Sequence, residues 1–406
     1  MVVDSDVLRA SLERHGRGMP CQRKVAIGVI GLGNVAIAHL EAYRHLSCVK
    51  VVAGADPRKD RLADVAASYG FKPYERYEEM LSRERLDVAC VFTPARTHRM
   101  VTEEVAKHKV HVLCEKPMAV SVRDANAMIS ICETNGVKFF YGASYRFLPA
   151  LIKARELIQG GEIGHVQLLT ESMIGGRGPN YYKDMGPGHY EIGGPGGSDW
   201  GLLDHGIHLA DSFSWLMNSD IASVFGRGAL SGGGPLTEYL VMNFENGALG
   251  TIVYNSSTFS SDLPAEGIFS WSPEWTEWKV GDGQRQVSGT WAEHPASIRV
   301  HGTHGALRIY YYANKMFLFA EGRREQIQVL DQPMPRHFGL QMQSFAQSIL
   351  DDRSPETNGW DGVKALRAVL GAYESSKKQR VIFVGTDSQA ILREHDSRDF
   401  KKGELA

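Results

Sequence analysis

Cysteine is scarce in this chain. Its 406 residues hold five, Cys21, Cys48, Cys90, Cys114 and Cys132, an odd number without a C-x-x-C pair. That pattern gives no disulfide framework and reads as reduced, structural thiols in a cytoplasmic protein. An excess of charge is missing too. Lys and Arg number 45 against 47 Asp and Glu, a formal net charge of −2, which argues against nucleic acid or an anionic membrane surface as partner and for a small or neutral one. No apolar run spans a bilayer, since the longest, 25–40, is interrupted by Gly28, Gly31, Gly33 and Asn34. The stretch 1–22 carries charges throughout and lacks the short apolar core of a secretory signal, so it reads as a loose extension. No internal repeat at a fixed period is present.

What is present has the usage of an ordinary soluble protein, 43% hydrophobic and 23% charged. At roughly 150 residues per domain, two or three domains are expected. From Lys24 to Tyr141, short β-branched runs at 24–30, 49–55, 86–93, 110–115 and 137–142 alternate with helical patterns at 35–46, 59–69, about 98–108 and 121–135. Near-continuous apolar strands separated by helices predict a doubly wound parallel sheet, placed at 23–143. Beyond Arg146 the pattern changes. Helices are expected near 149–159, about 198–217, 339–350 and 362–375. Strands at 237–257, 297–302 and 306–312 are separated by turn-sized gaps. These predict a second α+β domain over 144–386 with a mostly antiparallel sheet, and a charged tail at 387–406.

The turn after the first strand reads Gly31-Leu-Gly33-Asn34-Val35-Ala36, a G-x-G-x-x-A string between strand and helix. The first Gly permits the tight turn, the second lets the backbone approach a pyrophosphate, and Ala36 allows close packing, with the helix N-terminus facing the anion. Asp56 ends the second strand, 20 residues past Ala36, where a carboxylate accepts hydrogen bonds from the adenosine ribose of NAD. Arg58, Lys59 and Arg61 follow at once and leave the 2′-phosphate of NADP open as an alternative.

Two further clusters carry chemistry. Glu115-Lys116-Pro117 stands at the carboxyl end of the fifth strand, where open α/β sheets bind ligands, although such a string also suits a surface turn. In Leu203-Asp204-His205-Gly206-Ile207-His208, helical spacing stacks Asp204, His208, Asp211 and Trp215 on one reactive face, with Leu202, Leu209, Phe213 and Leu216 opposite. A carboxylate one turn before an imidazole orients the ring and raises its basicity, as a general base requires. A structural His at a domain interface is the other reading of His208. Metal binding is not expected, because on a regular helix His205 is turned about 100° away from Asp204 and His208. Trp271, Trp275 and Trp278 suit a pocket wall, an interface or core packing equally.

Together these pieces resemble the Gfo/Idh/MocA oxidoreductases, the group of glucose-fructose oxidoreductase and the inositol dehydrogenases. The resemblance rests on the GLGNVAIAH turn, Asp56, Thr93-Pro94 with His98, the EKP at 115–117, Tyr145-Arg146-Phe147 with Pro149, and the LLDHGIHLAD helix. It implies an N-terminal Rossmann domain and a C-terminal α/β domain whose open sheet often mediates a homo-oligomer, a dimer or tetramer. Lys116, Asp204 and His208 match the family's catalytic Lys, Asp and His. The implied cofactor contacts are Gly31, Gly33, Asn34, Val35, Asp56, Arg58, Thr93, Pro94, His98, Glu115 and Lys116. For substrate, Tyr145 and Arg146 join Lys116, Asp204 and His208. The segment 175–197 is longer than the family's usual approach to this helix and offers Arg177, Tyr181, Tyr182, Lys183 and His189 to a polyol. The expected activity is NAD-dependent oxidation of a secondary hydroxyl of a cyclic sugar, sugar derivative or inositol-like polyol. A redox-neutral enzyme that retains its NAD is the alternative, and a non-enzymatic nucleotide-binding regulator a more distant one.

Overall fold

The structure is a computed structural model that describes residues 23–174, 201–228, 237–255, 279–280, 285–286, 297–311, 315–329 and 336–385. Its first layer set is an alternation of strands and helices: β1 (Val25–Ile30), α1 (Asn34–Tyr43), β2 (Val49–Ala55), α2 (Lys59–Tyr69), β3 (Lys72–Tyr74), α3 (Tyr77–Arg83), β4 (Val88–Val91), α4 (His98–Lys107), β5 (His111–Glu115), α5 (Val122–Asn135) and β6 (Phe139–Gly142). The six strands pair in parallel in the order β3-β2-β1-β4-β5-β6. All four residues of β4 and of β6 are buried, the burial expected of strands covered by helices on both faces. The helices end where the chain provides for it. Ser121 caps α5 by accepting the Asp124 N–H, and Gly70 and Gly136 close α2 and α5 in the left-handed conformation.

After α6 (Pro149–Gln159) and β7 (Val166–Ile174) come α7 (Ile207–Met217), β8 (Ile221–Arg227), β9 (Glu238–Phe244) and β10 (Leu249–Asn255). A two-residue hairpin follows, β11 (Lys279–Val280) with β12 (Arg285–Gln286), then β13 (Ile298–Gly302), β14 (Gly305–Tyr310), β15 (Lys315–Ala320) and β16 (Arg323–Ile327). The chain closes with α8 (Arg336–Leu350), α9 (Gly359–Lys378) and β17 (Ile382–Phe383). Nine of these strands form one mixed sheet, ordered β16-β15-β14-β13-β7-β10-β9-β8-β17, in which only β7 and β10 run parallel. Helices α7 and α9 lie on its inner face. The loop before α9 returns to the first sheet: Thr357 donates its hydroxyl to Tyr141 O and accepts the Tyr141 N–H, closing the β6 edge.

The main elements fall where periodicity puts them, with departures that have physical reasons. Of the helix expected from about 198, the described part holds a five-residue π-helical turn, Leu202–Gly206, that leads into the α-helix Ile207–Met217. Packing is not confined to one face: His208, Asp211 and Trp215 are buried along with Leu209, Phe213 and Leu216. Helix α8 joins the first domain's core, where Phe338, Met342 and Phe345 pack among Leu32, Leu40 and Phe92. Among the described residues, no helix is long and apolar enough to cross a membrane.

Candidate active site

The crevice begins at the turn between β1 and α1. Gly31 has φ +87°, and a Cβ there would stand 2.8 Å from Phe92 O, so only glycine fits. A Cβ on Gly33, by contrast, would meet nothing within 4 Å. That open space lies at the N-terminus of α1, where Gly33 is the cap and brings no side chain to the first-turn amides. A helix N-terminus capped by glycine and facing open space suits a pyrophosphate, so these residues fit a dinucleotide.

Asp56 is buried at the end of β2. Its Oδ2 accepts the Leu32 N–H at 2.9 Å, and its two oxygens also take Arg58 Nε, Nη2 and N–H at 2.9 to 3.0 Å. Burial raises the carboxyl's pKa, but these donors outweigh it and hold it below the usual carboxylate range. Arg58 is thus folded onto Asp56, while Arg61 donates to Leu32 O. The acid and its basic neighbours form one cluster around the Leu32 peptide.

The loops at the carboxyl ends of β4 and β5 are tied together. His98 places Nε2 2.7 Å from Thr93 O and Nδ1 3.1 Å from Pro117 O, so its ring clips the turn after β4 to the cis Lys116–Pro117 turn. Burial drives the His98 pKa down. Thr93 accepts from the Thr97 hydroxyl, and Pro94 O takes the Thr97 N–H. Glu115 points inward: Oε1 lies 2.9 Å from His39 Nε2, and Oε2 accepts the Lys116 N–H at 3.1 Å. His39 is held in turn by Tyr43 Oη at 2.9 Å and is flanked by Phe92 and Phe338. Through this chain, α1 sets the backbone of Lys116.

Lys116 Nζ donates to Asp204 Oδ1 at 2.6 Å and to Asp204 O at 3.2 Å. Their side chains keep 16% and 31% exposure, so the pair faces the crevice. Asp204 sits in the π-helical turn, whose i to i+5 pattern recurs at functional sites. Glu238 anchors that turn by accepting the Leu202 N–H at 2.8 Å, and Gly201 must be glycine because a Cβ would collide with Tyr254. His208 lies one turn further on. Its ring stacks face to face on Tyr145, with centroids 4.0 Å apart and planes within 10°. Burial, then Lys116 and His205, push the His208 pKa well below its ordinary value against the opposing pull of Asp204, so the imidazole rests neutral, and its basicity is lowered rather than raised as a carboxylate one turn away leads one to expect.

The structure therefore brings Lys116, Asp204, His208 and Tyr145 together. Arg146 it places elsewhere. Its guanidinium is buried, bonds Asp211 through Nε at 2.8 Å and Nη2 at 2.5 Å, and reaches Asp361 at 3.3 Å. Burial opposes its charge, but the two carboxylates raise its pKa and keep it ionised. In this structure the Arg146 guanidinium is committed to Asp211 and Asp361. Arg177, Tyr181, Tyr182, Lys183 and His189, with Trp271, Trp275 and Trp278, lie outside the described residues. His39, Glu171 and Glu238 carry no signal in the sequence beyond being polar residues that share a buried face with apolar ones. Among the described residues, no three His, Cys, Asp or Glu side chains are arranged to hold a metal.

Comparison with known proteins identifies the family. Residues 25–143 match the model of the GFO_IDH_MocA oxidoreductase family's NAD-binding Rossmann fold, and residues 155–384 match that of its C-terminal alpha/beta domain. The myo-inositol 2-dehydrogenase of Thermotoga maritima is 29% identical over 236 residues, 56% of this chain and 67% of that one. The scyllo-inositol 2-dehydrogenase (NAD(+)) of Bacillus subtilis is 27% identical over 261 residues, 61% of this chain and 72% of the other. In fold, the aldose-aldose oxidoreductase from Caulobacter crescentus complexed with glycerol superposes with a TM-score of 0.71 at 22% identity, over 89% of this chain and all of that one.

Proposed function

The chain belongs to the Gfo/Idh/MocA oxidoreductase family, and we propose that it is an NAD-dependent dehydrogenase of a cyclic sugar, sugar derivative or inositol-like polyol. The observation that carries this reading is the meeting of Lys116, Asp204 and neutral His208 at the mouth of a dinucleotide crevice. Gly31, Gly33, Asn34, Val35 and Asp56 would hold the cofactor, which when bound supplies the two-electron hydride acceptor.

The chain's own residues do the rest. Oxidising a secondary alcohol requires removal of the hydroxyl proton while negative charge develops on oxygen. His208 takes the proton. Its burial keeps the ring unprotonated, and stacking on Tyr145 fixes its plane and places a π-face against the imidazolium that forms. Lys116 stabilises the developing alkoxide. An ammonium has three N–H donors, and with two directed at Asp204 the third serves the substrate oxygen. Asp204 holds that ammonium in place. The same reading includes a cytoplasmic homo-oligomer, a dimer or tetramer, which light scattering on the purified protein would decide.

The test is a panel of inositols, aldoses and sugar derivatives with NAD, followed through nicotinamide absorbance. Substrate-dependent NADH formation supports the reading. A chain that binds NAD but reduces none with any panel member refutes it.

A further inference from the structure

We propose that Glu171 is a positioning residue for the reaction set out above, acting through His205, Tyr311 and Tyr145 on the imidazole of His208. The inference rests on the dehydrogenase reading for its kinetic part only.

Along β7, inward positions alternate as Leu169, Glu171 and Met173, so the pleat places a carboxyl group where an apolar side chain belongs. The Glu171 side chain has no exposed surface. Burying a carboxyl is unfavourable unless its oxygens are hydrogen-bonded. Oε1 accepts the Tyr311 O–H at 2.9 Å and faces His205 Nε2 at 3.3 Å, while Oε2 has no hydrogen-bond partner among the described residues. Both partners converge on the same ring. His205 meets Tyr145 edge-on at 6.2 Å, and Tyr311 lies 5.5 Å from it on a tilt. Tyr145 is the platform on which His208 lies flat.

One oxygen thus ties the π-helical turn, through His205, to the end of the β13–β14 hairpin, through Tyr311, and the two together brace Tyr145. His205 also neighbours Asp204 in the chain, so the same bond steadies the turn that meets Lys116. Glu171 is separated from His208 by two rings in series and touches no reacting atom, which makes its role one of geometry.

The experiment uses the full chain and three variants, Glu171→Ala, Glu171→Gln and Tyr311→Phe, with two readouts. The first is the NMR signal of the His208 ring protons in protein without substrate, which face-on stacking on Tyr145 shifts upfield. The second is kcat beside the NAD dissociation constant. In Glu171→Ala the His208 signal should move downfield, and kcat should fall by about 10²-fold, the cost of an ångström-scale misplacement, with NAD affinity changed by less than about twofold. Glu171→Gln should restore both, because its carbonyl oxygen accepts from Tyr311 as the carboxyl does. An unmoved His208 signal in Glu171→Ala overturns the proposal, and so does a Gln variant as impaired as Ala. Should Glu171→Ala fail to fold, Tyr311→Phe, which removes one hydroxyl, must shift the same signal or the proposal falls. If no panel compound is oxidised, the resonance still decides on Glu171 while the dehydrogenase reading fails on its own.

Discussion

Lys116 and Asp204 stand 88 residues apart in sequence, yet Nζ of one is 2.6 Å from Oδ1 of the other. Lys116 leaves the parallel sheet at the end of β5, and Asp204 belongs to the turn that sits on the mixed sheet. The ion pair therefore spans the crevice between the two sheets and places one ammonium where both contribute to its position. Neither partner is deeply buried, so the pair adds little to stability and its worth is in orientation.

Replacing the ammonium separates these roles. Lys116→Met keeps the stem and removes the charge, so NAD affinity and the unfolding midpoint should stay near wild type while turnover falls roughly 10²- to 10⁴-fold. Steady-state kinetics beside an equilibrium NAD titration check this. Unchanged turnover would take Lys116 out of the chemistry.

At the other end of the crevice, Asp56 binds both the Leu32 amide and the Arg58 guanidinium. Asp56→Ser removes the anion and releases Arg58. NAD should then bind more weakly, and NADP should lose less because the freed guanidinium suits a 2′-phosphate and no carboxylate repels it. Paired titrations with the two nucleotides measure the ratio. Equal losses would mean that Asp56 serves only the turn.

How much of this was legible in the sequence depends on the range of the interaction. The parallel sheet was legible because its strands are buried on both faces and read as continuous apolar runs, and α6 matches its expected bounds because Pro149 starts it. Strand β3, three residues with two exposed, and β16, mostly exposed, carry no such pattern. The Lys116, Asp204 and His208 set was found as short strings, but their partners were not, since His39 to Glu115 and Glu171 to Tyr311 join positions 76 and 140 residues apart. Arg146 shows the same limit from the other side. A cation beside Tyr145 reads as a substrate ligand until the fold brings Asp211 to it. The π-helical turn was hidden because helical spacing of apolar residues does not register one extra residue in a turn.

Three buried histidines make stability depend on pH. His98, His208 and His337 all have folded pKa values lowered by burial, His337 to about 3. Each binds a proton more readily unfolded than folded. Stability from these groups is complete above the unfolded value of about 6.5 and is lost as pH falls below it, down to about 3 for His337. Each fully titrating histidine contributes a slope of ~1.4 kcal/mol per pH unit. Urea unfolding between pH 5 and 6.5 should show stability falling with pH, and His337→Phe should lessen that slope by about one proton's worth. An identical slope in the variant would mean that His337 titrates normally in the folded protein.

The buried pair of Arg146 and Asp211 tests the reassignment of Arg146 most directly. Removing one partner leaves the other charge without its counter-ion inside the protein, so Arg146→Met should cost about 3 to 5 kcal/mol in unfolding free energy. Asp361 lies within 3.3 Å of the same guanidinium and loses its partner too. The double variant Arg146→Met with Asp211→Leu removes both central charges and should recover a large part of that loss, since apolar replacement of a buried pair is often close to neutral. Chemical denaturation of the two single variants and the double variant completes the cycle. If Arg146 were instead a substrate ligand, Arg146→Met would raise KM with little change in stability, and the double variant would recover nothing.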